Sequence, residues 1–146
     1  MKLIIQIPCY NESQTLPATL AALPKELPGI EVIEYLIVDD GSTDDTAQVA
    51  NENGVHHIIR LSKHVGLATG FAAGLEASVN HSADIIVNTD ADNQYYAEDI
   101  QNLIDPILKG RADIVVGDRG VATLKTFSPI KRNLQRMGSW IIGQAS

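Results

Sequence analysis

The chain has 146 residues, of which 45% are hydrophobic and 20% charged, and these values indicate one soluble globular domain with its own core. Its net charge of −7 disfavours nonspecific attraction to a nucleic-acid backbone, so nucleic acid is not an expected partner. Cys9 is the single cysteine and permits no internal disulfide, which is compatible with a reducing compartment, and a buried packing role is the favoured interpretation.

Short β-rich runs alternate along the chain with longer stretches of helical period, which is typical of βαβ units. The sequence therefore predicts an α/β fold with a mainly parallel sheet flanked by helices. The predicted strands are residues 3–7, 33–38, 57–60, 85–89 and 114–116. The predicted helices are residues 16–23, 43–53, 67–80, 97–109 and 129–142.

Two helix starts carry capping signals. Thr15 can cap the first helix, and Pro17 falls in its first turn, where a missing N–H costs little. Ser42 followed by Asp45 resembles a capping box, which predicts that the second helix begins at about residue 43.

Glycines recur every four residues in the third helix, at Gly66, Gly70 and Gly74. They form a stripe without side chains, which predicts close packing of this helix on the sheet. His64 precedes the stripe, and its role stays open. The chain contains neither GxGxxG nor GxxxxGK[ST], which argues against a dinucleotide enzyme and a P-loop ATPase.

Open parallel sheets bind ligands beyond the carboxyl ends of their strands, so the residues after each predicted strand are the first candidates. After the fourth strand, Asp90 and Asp92 can present two carboxylates to one point if the chain is extended. Their mutual repulsion is relieved by a divalent cation, and Gln94 can add a third oxygen ligand. The pattern predicts a Mg²⁺ or Mn²⁺ site, although solvated turn aspartates would show the same spacing.

The other two polar strand ends offer groups for a nucleoside. Asp39 and Asp40 cannot share a face, so we expect Asp39 in the cleft and Asp40 against solvent or a backbone amide. A turn with a helix cap is an equally good explanation of Asp39. After the first strand, the candidate residues are Pro8, Tyr10, Asn11 and Glu12, which provide a rigid exit, an aromatic face and hydrogen-bonding groups.

Together these segments resemble the inverting family 2 glycosyltransferases, which have a nucleotide-binding α/β domain of the GT-A type. The resemblance covers nearly the whole chain, in segments 8–12, 38–44, 66–74, 90–94 and 117–119. Within the family, Asp90-Ala91-Asp92 with Gln94 and the later Lys131-Arg132 are most similar to the polyprenyl-phosphate branch.

The resemblance implies a role for each matching residue. Nucleoside contacts would come from Pro8, Tyr10, Glu12 and Asp39, and Asp90 and Ala91 would lie along the diphosphate. The implied metal ligands are Asp90, Asp92 and Gln94, with Asp92 the residue on which the reaction depends. The resemblance predicts that a GDP- or UDP-linked sugar is the donor.

Arg119, Lys131 and Arg132 are cations in an acidic chain, which makes them candidates for binding an anionic acceptor. A solvated loop with a basic helix start is the alternative. The resemblance implies that these residues serve donor and acceptor phosphates, so a polyprenyl phosphate is the expected acceptor. Such an acceptor is already ionised at neutral pH and needs no general base.

The sequence thus predicts one nucleotide-sugar-binding glycosyltransferase domain over residues 1–146, as a fragment that lacks part of the acceptor side. No apolar run approaches the ~18 residues of a membrane span. The expected location is cytoplasmic, at the cytoplasmic face of a membrane if sequence outside this chain provides an anchor. The alternatives are a noncatalytic nucleotide-sugar-binding module and a phosphohydrolase in which the first Asp of DxD is the nucleophile.

Overall fold

A computed structural model describes residues 1–92 and 98–117 of the chain. Residues Met1–Val115 form one compact unit, and every element named below belongs to it. In chain order these elements are β1 (Lys2–Cys9), α1 (Leu16–Ala22), β2 (Val32–Asp39), α2 (Thr46–Glu52), β3 (His57–Arg60), α3 (Leu67–Asn80), β4 (Ile85–Asn88) and α4 (Asp99–Leu108).

The strands form a four-stranded sheet in the order β3-β2-β1-β4, and every pairing is parallel. This arrangement confirms the predicted α/β class. Because the strands are parallel, they all end at one edge of the sheet, which we call the carboxyl edge. β1 lies between β2 and β4, so the segments after these three strands emerge side by side.

Alternate residues of β1 face opposite sides of the sheet and enter two cores. Leu3, Ile5 and Ile7 are fully buried in the larger core, together with residues of α1 and α4 such as Leu16 and Ile104. The core on the other face of the sheet is smaller and is covered by α3. Its buried residues are Ile4, Leu36 and Val38. Both faces of the sheet are therefore covered by helices, as parallel strands require.

The glycine stripe of α3 allows the close packing that the sequence predicts. Gly70 and Gly74 are buried, and a Cβ on Gly74 would lie 2.3 Å from Gln6 Oε1 and 3.0 Å from Val38 Cγ2. Gly66 has a different function, since it is the N-cap residue with a φ of 95°.

Two predicted features of the chain are wrong. The predicted strand at residues 114–116 is not a strand: Ile114 and Val116 are 83% and 86% exposed, and no described strand pairs with this short run. The second helix begins at Thr46, not near residue 43, and Asp45 is its N-cap residue. Ser42 forms no capping box, because its hydroxyl accepts a hydrogen bond from the distant Asn11 N–H at 2.9 Å.

The other helix starts lie close to the predicted ones. Thr15 is the N-cap residue of α1 and Pro17 lies in the first turn, although the Thr15 hydroxyl donates to Glu12 and caps no helical N–H. α4 begins at Asp99. The predicted helix at 129–142 lies outside the described residues. Within residues 1–92 and 98–117, no helix is long and apolar enough to cross a membrane.

Candidate functional site at the carboxyl edge

The polar segments after β1, β2 and β4 lie beside one another because the strand ladder extends beyond the strand ends. Asp40 N–H donates to the Cys9 carbonyl at 2.9 Å, and Thr89 N–H donates to the Gln6 carbonyl at 3.1 Å. The three strand ends that the sequence singled out therefore form one continuous edge.

Hydrogen bonds join the segment after β1 to the segment after β2. Asn11 adopts a positive φ of 57°, which lets its side-chain Oδ1 accept the Thr43 N–H at 2.9 Å while its own N–H donates to Ser42 Oγ. Glu12 N–H donates to Thr46 Oγ1 at 2.9 Å. Each bond joins residues more than 30 positions apart, and together the bonds link the two segments into one frame.

Asp44 is the central acceptor of this frame. Its carboxylate accepts the N–H groups of Ser13 at 3.1 Å and Thr46 at 3.0 Å, as well as the Thr46 hydroxyl. Burial alone would raise the pKa of Asp44, but the hydrogen bonds from Thr46 and Ser13 outweigh it and lower the pKa to about 2. Asp44 is therefore ionised at neutral pH.

Asp39 ends β2 with a fully buried side chain. Its Oδ1 accepts the Ser42 N–H at 2.8 Å, the turn contact that was the alternative explanation of this residue. Its Oδ2 lies 3.3 Å from Arg60 Nε without hydrogen-bond geometry, and it accepts no hydrogen bond from the described residues. A buried carboxylate oxygen without a hydrogen bond is a favourable acceptor for a ligand N–H or O–H.

Asp40 binds backbone amides, as expected for one of the two adjacent carboxylates. It accepts the N–H groups of Val65 at 2.8 Å and Gly66 at 2.9 Å, which lie at the start of α3. Gly41 follows with a φ of 70°, and a Cβ there would lie 2.4 Å from the Lys63 carbonyl carbon. The loop before α3 is therefore packed tightly against the end of β2.

An aromatic pair lies across the ends of β1 and β3. The rings of Tyr10 and His64 are stacked with centroids 4.0 Å apart and an interplanar angle of 28°. Tyr10 is 42% exposed, so part of its ring surface is open to a ligand. Pro8 lies within β1 beside Val38 and is half-buried.

The segment after β4 carries the DxD aspartates on either side of a buried residue. Ala91 is 4% exposed, and its carbonyl accepts the Thr19 hydroxyl of α1 at 2.6 Å. Asp90 is half-buried and Asp92 is exposed. Anchoring of the backbone at Ala91 thus fixes the position from which both carboxylates extend.

The DxD residues provide hard oxygen donors, the ligand type that Mg²⁺ and Mn²⁺ prefer. In the described part of the chain, no group of three or more His, Cys, Asp or Glu side chains could hold a metal ion. The expected metal ligands do not require such a group, because the third ligand, Gln94, is an amide. Gln94 lies outside the described residues, as do the predicted phosphate-binding residues Arg119, Lys131 and Arg132.

Arg60 was not among the residues predicted from the sequence, which also left the role of His64 open. Arg60 ends β3 and contacts Asp39, and its guanidinium also donates to the Ser42 carbonyl at 3.4 Å. Reading the end of the third strand in the same way as the other three would have identified Arg60, because β3 ends at the same edge.

The fold is that of an α/β domain of the GT-A type. Glucosyl-3-phosphoglycerate synthase from Mycobacterium tuberculosis, solved in complex with Mn²⁺, UDP and glucosyl-3-phosphoglycerate, shares the fold with a TM-score of 0.59 and 23% sequence identity. The similarity covers 73% of this chain and 39% of that one.

The chain belongs to glycosyl transferase family 2, whose sequence profile matches residues 4–144. It is 32% identical over 124 residues to polyprenol monophosphomannose synthase of Mycolicibacterium smegmatis, covering 81% of this chain and 45% of the relative. It is 33% identical over 126 residues to undecaprenyl-phosphate mannosyltransferase of Micrococcus luteus, covering 83% and 49%. These findings confirm the predicted family and the resemblance to its polyprenyl-phosphate branch. The chain spans about half the length of the curated relatives it matches.

Proposed function

We propose that this chain is the donor-binding part of an inverting, metal-dependent glycosyltransferase that transfers a sugar from a GDP- or UDP-linked donor to a polyprenyl phosphate. The observation that carries the proposal is the juxtaposition at the carboxyl edge of an open aromatic face, a buried carboxylate and the DxD segment. An aromatic ring and a carboxylate suit a nucleoside, and paired aspartates suit a metal-bound diphosphate. The sugar transfer takes place at the cytoplasmic face of a membrane.

The nucleoside is held by residues after β1 and β2. Tyr10 stacks on the base, and Asp39 Oδ2 accepts a hydrogen bond from a base N–H or a ribose hydroxyl. The assignment is favoured because Asp39 Oδ2 accepts no hydrogen bond from the described residues, and a buried carboxylate oxygen gains most from a well-placed donor. Pro8, Asn11 and Glu12 complete the walls of this subsite.

The diphosphate lies along Asp90 and Ala91, with Asp90, Asp92 and Gln94 as ligands of Mg²⁺ or Mn²⁺. When bound, the metal ion supplies positive charge that stabilises the nucleoside diphosphate as it leaves. Asp92 is the proposed catalytic residue because the reaction depends on this ligand. The buried position of Ala91 supports the assignment, because it fixes the backbone between the two carboxylates.

In the proposed reaction, an oxygen of the acceptor phosphate attacks the anomeric carbon of the sugar from the face opposite the diphosphate. The new carbon–oxygen bond forms as the bond to the nucleoside diphosphate breaks, which inverts the anomeric configuration. A phosphate acceptor is anionic at neutral pH and needs no base to remove a proton. Arg119, Lys131 and Arg132 bind its charge, a role supported by relatives named for polyprenol and undecaprenyl phosphate.

Calorimetric titration of the chain with GDP and UDP, with and without Mn²⁺, tests donor binding. We expect Asp39→Asn, which keeps the volume but removes the charge, to weaken nucleotide binding by about 1–3 kcal/mol. Asp84→Asn is the matched control, since Asp84 also accepts a backbone N–H but lies at the opposite end of the sheet, beside Lys2. Equal affinities for the wild type and Asp39→Asn would show that Asp39 has only a structural role in the turn.

The metal assignment is tested in the same titration. Asp92→Ala should remove the Mn²⁺-dependent part of nucleotide binding, whereas Asp113→Ala, which also removes an exposed carboxylate, should retain it. An unchanged metal dependence in Asp92→Ala contradicts the proposed site.

A transfer assay with nucleotide sugar and a short polyprenyl phosphate separates a transferase from a noncatalytic binding module. We expect transfer to fall at least tenfold in Arg119→Ala and in the double variant Lys131→Ala/Arg132→Ala, since each loses charge-assisted bonds to phosphate. Wild-type rates in these variants, or transfer to hydroxyl acceptors only, would show that the acceptor assignment is wrong.

A further inference from the structure

His64 joins two strand ends that meet at the carboxyl edge. Its Nδ1 lies 2.8 Å from Asp40 Oδ2, and its ring is stacked on Tyr10 at 4.0 Å. The Asp40 side chain is only 6% exposed and is held by two backbone N–H groups at 2.8 and 2.9 Å. A buried and well-fixed carboxylate after β2 therefore contacts one ring, and that ring supports the tyrosine that follows β1.

The two contacts of His64 restrict different degrees of freedom. The contact between His64 Nδ1 and the fixed Asp40 carboxylate at 2.8 Å restricts the rotation of the imidazole ring. Stacking then restricts Tyr10, which is 42% exposed and would otherwise exchange between side-chain rotamers. Ordering a mobile side chain on binding lowers affinity, so a tyrosine that is already ordered binds more tightly.

We propose that Asp40 and His64 are positioning residues that hold Tyr10 in the orientation in which it receives the nucleobase. This inference rests on the proposed function, because it requires a nucleotide to bind at Tyr10. Both members of the Asp39-Asp40 pair then have a role in binding, because Asp39 contacts the ligand and Asp40 acts through His64. Neither Asp40 nor His64 contacts the reacting atoms.

The test is a double-mutant cycle on the binding of GDP and UDP in the presence of Mn²⁺. We expect His64→Ala to weaken binding by about threefold to tenfold, the range that aromatic contacts produce. In a Tyr10→Ala background the same substitution should change affinity by less than about twofold, because the residue it acts through is gone. His81→Ala is the matched control. His81 is also a histidine stacked on another ring, that of His57 with centroids 3.7 Å apart, but it lies at the other end of α3.

A second measurement does not require a ligand. The ring-proton chemical shifts of Tyr10 in the free protein should move when His64→Ala removes the neighbouring ring, and should move less in His64→Phe, which keeps an aromatic ring there. This measurement also decides the question if His64→Ala fails to fold, because His64→Phe and Asp40→Asn then provide the comparison. Tyr10 shifts that are the same in every variant would overturn the inference.

Failure of the inference can be distinguished from failure of the proposed function. If the wild-type chain binds neither nucleotide, the proposed function is wrong. If the wild type binds and His64→Ala binds equally tightly, the function stands and the inference is wrong. If His64→Ala weakens binding as much without Tyr10 as with it, His64 acts independently of Tyr10, and the inference is again wrong.

Discussion

Two glycines of α3, four residues apart, should respond in opposite directions to the same substitution. Gly70 and Gly74 are both buried and both face the sheet. A Cβ on Gly70 would lie 3.9 Å from Val38 Cγ1, which is an ordinary contact. A Cβ on Gly74 would lie 2.3 Å from Gln6 Oε1, and 3.0 Å from both Gln6 Cδ and Val38 Cγ2. Only the second substitution requires the core to move.

The magnitudes follow from two opposing effects. Replacing a helical glycine by alanine gains about 0.5–1 kcal/mol of stability. Overpacking a core costs about 1–3 kcal/mol. Gln6 is fully buried and donates to Asn88 Oδ1 at 3.1 Å, so its amide cannot move away without losing that bond. We expect Gly70→Ala to stabilise the chain by about 0.5–1 kcal/mol and Gly74→Ala to destabilise it by about 1–2 kcal/mol.

Urea denaturation followed by circular dichroism measures both free energies of unfolding. The difference between the variants should be about 2 kcal/mol, or about 4–8 °C in Tm for a chain of this size. Gln6→Ala in the Gly74→Ala background should recover part of the loss, because it removes the atom at 2.3 Å. If both glycine variants are equally stable, α3 does not pack on β1 as closely as the geometry requires.

Two further predictions concern the frame of the site. The lowered pKa of Asp44, about 2 against an ordinary 3.8, means that its contribution to stability is present above pH ~4 and is lost as the pH falls to about 2. We expect Asp44→Asn to lower the free energy of unfolding by about 1 kcal/mol at pH 7, after discounting for partial exposure. Between pH ~4 and ~2 the stability of this variant should fall less than that of the wild type in acid titrations. An unchanged acid transition contradicts this expectation. Gly41→Ala should destabilise by about 2 kcal/mol more than Gly54→Ala in urea, because both have positive φ but only Gly41 is tightly packed, against the Lys63 backbone. Equal losses would show that backbone strain alone is responsible.

The sequence was most informative where short-range patterns and core packing agree. The bounds of α3 and of β3 match the prediction because apolar period, strand propensity and flanking turn residues coincide there. The spacing of the three polar strand ends also led correctly to one edge of the sheet, since parallel strands can end nowhere else. Family-level resemblance then followed from the order of these segments.

The errors arose where distant residues decide local structure. The start of α2 depends on Asn11, which binds the Thr43 N–H from 32 positions away, so the local capping signal at Ser42 was misleading. The apolar run at 114–116 has strand composition, but composition supplies no pairing partner. His64 has no signal in its own neighbourhood, because its partners Tyr10 and Asp40 come from other strands.

Three aspartates at and after the end of β2, Asp39, Asp40 and Asp44, divide into two groups according to their hydrogen bonds. Asp40 and Asp44 accept two backbone N–H groups each, and these bonds hold the loops in place. Asp39 accepts one backbone N–H and retains a buried oxygen that no described residue donates to. A binding site needs both kinds, because carboxylates that fix the frame spare the ligand the free-energy cost of ordering it. Substitutions in the first group should therefore change stability and affinity together, whereas Asp39→Asn should change affinity more than stability.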